Sequence, residues 1–227
     1  MATLNDLKQR IDGLLGLTAA NRLLQLNSNT RERAYEAYVL SLCADALRRA
    51  GGTATLTGIN SGPNPATVIF RGGPGAMSST AQDFCYLDCS LANKLFEIHL
   101  DVVYEGQSGA NHEIDVSICD SGHAQDVRDS GKAPRTNKNL IAAIECKFYD
   151  STPGVVLART FVGLVNDCSV NRLNAFVSNR TSSGLDAYLS KTSSPKPFID
   201  LTPLSSTAEQ RFILNVEQVF RQWAVSR

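Results

Sequence analysis

Apolar positions recur at two periods along this chain, and the change from one to the other marks out its elements. A helical spacing opens it: Leu4, Leu7, Ile11, Leu14 and Leu15, then Leu23 and Leu24, predict helix over residues 3–26, weakened by Gly13 and Gly16. A stronger helix follows, with Thr30 as its expected N-cap. Ala34, Tyr35, Tyr38, Val39, Leu42, Cys43, Ala46 and Leu47 form its stripe, and Gly51-Gly52 end it. Residues 53–79 read as short strands between loops. Residues 95–104 alternate cleanly, 105–109 turn, and 112–119 return as the hairpin partner. Residues 120–139 read as a polar loop. Residues 140–148 are more uniformly apolar, as a central strand should be. The rest reads as a helix from Gly154, a strand from Leu173, a short helix over 184–190, a short strand over 197–201 and an amphipathic helix over 207–224.

The core order is therefore α, β, β, β, α, β. It predicts one α/β domain over 1–227, with a mixed four- to five-stranded sheet flanked by helices. Residues 1–94 form an N-terminal helical and glycine-rich elaboration, 95–180 the core, and 181–227 a closing strand and helix. A length of 227 residues and 43% hydrophobic content support one proper core. Twenty-two basic residues balance 22 acidic ones, which excludes a protein that coats nucleic acid by bulk charge. Any nucleic-acid site must be a local groove, or be completed by oligomerisation or a partner. No apolar run is long enough to span a membrane, and the first residues lack a basic region followed by an apolar core, so a cytoplasmic protein is expected. The six cysteines form no Cys-x-x-Cys pair, which argues against zinc and for small core residues in a reducing compartment.

Two of the strands carry charge where a core strand should not. His112-Glu113-Ile114-Asp115-Val116-Ser117-Ile118 and Leu140-Ile141-Ala142-Ala143-Ile144-Glu145-Cys146-Lys147-Phe148 bury ionisable groups in apolar runs. Such burial is costly unless the charges are paired or hold a metal. Strand alternation puts Glu113, Asp115 and Ser117 on one face, opposite Ile114, Val116 and Ile118, and puts Glu145 with Lys147. If the strands are neighbours, Asp115, Glu145 and Lys147 converge. Two carboxylates can then hold Mg²⁺, with Mn²⁺ as a substitute, and Lys147 can stabilise charge or position water. A purely structural ion-pair network is the rival reading, but buried pairs seldom add net stability.

Eight glutamates and seven lysines make a chance Glu-x-Lys worth about a quarter of one occurrence, so the triplet alone is weak and its strand context carries the signal. That context, Ile114-Asp115 followed by Glu145-Cys146-Lys147, resembles the PD-(D/E)xK nuclease superfamily, the restriction-endonuclease-like fold. Ile114 stands where that family usually has proline. The likeness spans roughly residues 30–180. It implies a Mg²⁺-dependent endonuclease acting on DNA, with Asp115 and Glu145 as metal ligands. It also implies a helical acid before the sheet, for which Glu36 is the candidate and Glu32 its competitor. Arg159, on the helix after the Glu-x-Lys strand, would contact phosphate, and Glu113 would be an extra ligand or rim carboxylate.

Other residues carry weaker signals. The glycine stretch 71–75 lacks the Gly-Lys-Ser/Thr ending of a phosphate loop and reads as structural. His99 reads as a satisfied sheet histidine and His112 as a turn residue. Arg128, Lys132, Arg135 and Lys138 would make 120–139 either a solvated or a DNA-contacting loop, and Ser178, Asn179 and Arg180 could face substrate. Three functional rivals stand beside a restriction or host-defence endonuclease. They are a non-catalytic binding or scaffold module, a nuclease for RNA or branched DNA, and an effector nuclease gated by a ligand or partner. A double-strand cut would call for a homodimer or higher oligomer.

Overall fold

A computed structural model describes residues 1–18, 22–24, 30–136, 139–170 and 172–226. Its elements in order are α1 (Leu4–Leu15), β1 (Arg22–Leu24), α2 (Thr30–Arg49), β2 (Thr53–Gly58), β3 (Gly62–Pro63), β4 (Val68–Phe70), β5 (Cys85–Leu91), β6 (Lys94–Glu105), β7 (Asn111–Asp120), α3 (Ser121–Ser130), β8 (Leu140–Lys147), α4 (Val155–Cys168), β9 (Leu173–Ser178), α5 (Ser183–Leu189), β10 (Lys196–Ile199) and α6 (Ser206–Ala224). The chain is α/β, with an eight-stranded mixed sheet in the order β10-β9-β8-β7-β6-β5-β2-β3 and a separate parallel pair, β1-β4. β8, β9 and β10 run parallel, while every pair from β8 across to β3 is antiparallel.

Each face of the sheet has its own core. One gathers apolar residues of α1, α2 and α6, and the other those of α3, α4 and α5. α2 is the central pillar of the first. Ala34 to Ala44 are all buried, which is the mark of a helix enclosed on every side. Its polar edges are satisfied internally. The Tyr35 hydroxyl donates to Leu201 O (2.8 Å) and the Tyr38 hydroxyl to Glu209 Oε1 (2.7 Å), while Arg10 grips Glu209 with two nitrogens. Glu36 is thereby carried inward, and Glu32 is left at the surface end of the same helix.

Several expectations need correction. The sheet has eight strands rather than four or five, because β2, β3 and β5 extend its antiparallel half. β5 has a clean two-residue burial alternation that its cysteines and Asp88 obscured in sequence. The helical period over 3–26 stops early: α1 ends at Leu15, capped by left-handed Gly16, and Leu23 and Leu24 lie in β1. α2 already includes Thr30, whose side chain lies outside the described residues, so its N-cap role is not placed. The segment 120–139 contains α3, started by Asp120 accepting from His123 N (3.0 Å) and stopped by Gly131 at φ 68°. Lys138 lies outside the described residues. All six cysteines are buried and free. No helix among the described residues is long and apolar enough to cross a membrane.

Candidate active site

β7 and β8 pair from Cys119↔Leu140 up to Val116↔Ile144, and there the ladder ends. Beyond it a side chain bridges the parting strands: Asp115 Oδ2 accepts the Cys146 backbone N–H at 2.7 Å. The same oxygen receives Lys147 Nζ at 3.2 Å, and Nζ lies 2.6 Å from Glu145 Oε1. The three residues expected to converge therefore do so, with Lys147 bridging the two carboxylates.

On its other side β7 meets β6, and that ladder skips one step between Leu100↔Val116 and Val102↔Ile114, where Asp101 and Asp115 stand. Asp101 has φ 51°, a left-handed conformation that aspartate tolerates better than most residues. The simple alternation is broken there. Leu100, Val116 and Ile118 pack in the core under α2, but Val102 and Ile114 pack in the opposite one. Ile114 therefore does not share a face with Val116 and Ile118. The glycine stretch acts as a strut on this irregularity. Gly75 N donates to Asp101 O (2.9 Å) and Gly75 O accepts from Val103 N (3.1 Å). A Cβ on Gly75 would lie 2.9 Å from Arg71 Nη1, so a side chain there would require the Arg71 guanidinium to shift.

α2 closes the site from above. One oxygen each from Glu36, Asp101 and Asp115 lie within 4.8 Å of one another, in reach of a single metal ion. Arg33 Nη1 sits among them, 3.0 and 3.1 Å from the Glu36 oxygens and 3.0 Å from Asp101 Oδ1. Glu36 lies in the place expected of the helical acid, and Glu32 only helps line the cleft. That cleft, of about 160 Å³, is walled by Arg33, Glu36, Glu113, Asp115, Lys147 and Tyr149, among others. Asn179 fixes its rim, its amide accepting from Tyr149 N (2.8 Å) and donating to Tyr149 O (3.0 Å).

Five carboxyl groups thus crowd around Arg33 and Lys147, and the electrostatics reflect it. Burial, then Asp101 and Asp115, push the Glu36 carboxyl up to about 9 against the pull of Arg33. Burial lifts Asp101 to about 7, opposed by Arg33. Burial and Asp115 lift Glu145 to about 7, and burial raises Glu113. Burial opposes charge on Lys147, but Asp115 and Glu145 outweigh it and hold the ammonium well above the ordinary lysine range. Both carboxylates thus favour the charged form of Lys147, the charge state left open by sequence. Acids that resist ionisation for want of positive charge are the donor set a divalent cation satisfies.

The remaining candidates lie elsewhere. Arg159 is exposed on α4, its guanidinium 5.7 Å from the Tyr188 ring centre, and it does not line the cleft. His99 is buried, bonded to Glu97 Oε2 (2.7 Å) and stacked on Tyr86, so it is satisfied but not superficial. Arg128, expected in a loop, sits on α3 and clamps both Glu97 oxygens at 2.7 Å. His112 lies in β7 rather than in a turn and meets Asp167 Oδ2 at 2.6 Å. Sequence reading missed Asp101 and Arg33. Asp101 left one signal, an acid in the middle of a twelve-residue strand, but its alternation with His99 and Glu97 disguised it. No family model matches the chain, and neither a curated protein nor a solved structure does.

Proposed function

We propose that this chain is a Mg²⁺-dependent endonuclease of the restriction-endonuclease-like fold, hydrolysing DNA phosphodiester bonds. The observation that carries the proposal is Lys147 Nζ held between Asp115 and Glu145 at an acidic cleft, where two strands part. A structural network would match its acids with bases, whereas this one leaves a surplus of acids that holds protons and that an added cation would let ionise.

Asp115 and Glu145 would hold the ion, with Glu36 behind them. The ion, when bound, supplies an ionised water and offsets charge building on the phosphoryl group. Lys147 remains charged through the cycle. It orients the water and donates to the phosphoryl oxygens, an electrostatic role that needs no proton transfer. The Cys146 amide keeps Asp115 aimed, so that carboxylate spends no freedom on finding its geometry. Cutting both strands of a duplex would draw on a second copy of the chain. A host-defence role is consistent with this chemistry.

Cleavage of supercoiled plasmid by the parent and by Lys147→Ala, in Mg²⁺ or EDTA, tests the reading. Cutting should require Mg²⁺ and fall by at least about a thousandfold in the variant, about 4 kcal/mol of barrier. A folded parent inert toward DNA with Mg²⁺ and Mn²⁺, or a variant as fast as the parent, rejects it. Activity on RNA alone would keep the chemistry and change the substrate.

A further inference from the structure

We infer that a side cleft opening off the active site takes an unpaired nucleobase beside the scissile phosphate, stacked on Tyr149, so that the strand being cut is single-stranded or locally melted. The inference rests on the nuclease reading and deepens it by naming the form of the substrate.

Four observations support it. The first is continuity. A cleft of about 110 Å³ is walled by Arg31, Glu32, Phe148, Tyr149 and Asp150, and it shares Glu32, Phe148 and Tyr149 with the acidic cleft that Lys147 lines. Tyr149 follows Lys147 by two residues, so their Cα atoms are at most about 7 Å apart, the span of roughly one nucleotide.

The second is Tyr149 itself, whose main chain is fixed and whose side chain is unused. Asn179, a buried residue, accepts from its N–H and donates to its carbonyl. Its ring is partly exposed and stacks on no other ring, and its hydroxyl meets no partner among the described residues. An aromatic ring on a fixed main chain, with a face to spare, is a platform for any base. The third is Arg31. Its two terminal nitrogens meet both oxygens of Asp150, and its guanidinium lies 5.8 Å from the centre of the Phe148 ring. A guanidinium plane stacks on bases much as a ring does.

The fourth is charge. Glu32 and Asp150 make the side cleft a poor seat for a phosphate, but carboxylates accept the amino protons that bases carry. The chain balances 22 basic residues with 22 acidic ones, so bulk charge does not hold a duplex, whereas stacking gives affinity that needs no net charge. A base inside a duplex has both faces covered by its neighbours. It can stack on Tyr149 only after leaving them, at a cost that a single strand does not bear. Supercoiled plasmid, whose torsion opens base pairs, meets the same requirement.

Fluorescence anisotropy of a labelled oligonucleotide, with Ca²⁺ present to offset the acids, tests this independently of cleavage. The parent should bind a short single strand at least about fivefold tighter than its duplex, and at least about fivefold tighter than an abasic backbone of the same length. Tyr149→Ala keeps the main-chain bonds to Asn179 and should bind the strand and the abasic backbone alike. Tyr149→Leu, a second route if Tyr149→Ala misfolds, should do the same, and Tyr149→Phe should match the parent. Duplex or abasic backbone bound by the parent as tightly as the strand, or a base preference that survives in folded Tyr149→Ala, overturns the base cleft. If plasmid cleavage still requires Mg²⁺ and Lys147 in that event, the nuclease reading stands. A base preference lost in Tyr149→Ala, from a parent that cuts no nucleic acid, keeps the cleft as a binding site and overturns the nuclease reading instead.

Discussion

Strand β6 carries two buried clusters of charge a few residues apart, and they are built on opposite principles. At Glu97 the account closes. Arg128 clamps both carboxylate oxygens, His99 bonds one of them, and Tyr86 stacks on the imidazole and lies beneath the guanidinium at 5.3 Å. Burial pushes the Glu97 carboxyl up, but Arg128 and His99 outweigh it and hold it down at about 2. At Asp101 the account stays open, and Glu36, Asp101 and Glu145 are all pushed up. The same chemical groups at similar burial thus end with opposite tendencies to hold a proton. What differs is whether the fold itself brings enough positive charge. Buried charge alone does not mark a site; buried charge that the protein leaves uncompensated does.

The largest expected effects come from breaking each cluster in turn. Asp115→Asn should abolish metal-dependent cutting, by about a thousandfold or more, yet leave thermal stability in EDTA within about 1 kcal/mol, since it removes one of several repelling acids. Glu97→Gln should do the reverse. It strands Arg128 and His99, so denaturant unfolding should show a loss of about 3–5 kcal/mol, with cleavage by the folded fraction little changed. If Glu97→Gln kills activity without loss of stability, the two clusters are one site and the contrast fails.

A subtler test uses pH, because the two clusters titrate with opposite sign. A carboxyl whose folded pKa is raised binds more protons folded than unfolded, so stability falls as pH rises between the two values. For Glu36 that window runs from its ordinary 4.5 to about 9. In EDTA, unfolding free energy should therefore decline across neutral pH, and saturating Mg²⁺ should flatten the decline. Glu97 works the other way. Its contribution is complete above 4.5 and is lost as pH falls toward about 2. Melts of Glu36→Gln should lose the slope between about pH 7 and 9, keep the part below about 7 that Asp101 and Glu145 carry, and keep the acid slope of Glu97. An unchanged slope between about pH 7 and 9 in that variant would show that another group carries it.

The smallest expected effect concerns Arg159. Stacked over Tyr188 and away from the cleft, it should be replaceable by alanine with about a twofold change in cleavage at most. A tenfold loss would return it to the substrate path and enlarge the site beyond the cleft described.

Asp115, Glu145 and Lys147 were legible because each is an ionisable group in an apolar run. Glu36 could be ranked above Glu32 because Val39, Leu40 and Cys43 follow on its side of α2. Asp101 was not legible because its role depends on a left-handed φ and on a glycine strut arriving from 26 residues earlier, neither of which leaves a periodic trace. α3 escaped notice because only Ala124 and Val127 are buried in it, too few to make a stripe. Arg128 shows the same limit from another side: a basic residue in a polar stretch looks solvated until its partner is known to lie under it. Periodicity reports which face is apolar, but it says little about where a ladder breaks.

The bond from the Cys146 amide to Asp115 has a consequence for how the site tolerates change. The donor is main chain, so it belongs to no side chain and survives every substitution at 146 except proline, which has no N–H to give. The Cys146 side chain packs into the core beneath α2, where it is 5% exposed. The residue between Glu145 and Lys147 can therefore be exchanged for another small apolar type without loss of that bond, because the aim of the neighbouring carboxylate is set by backbone geometry rather than by the side chain at 146.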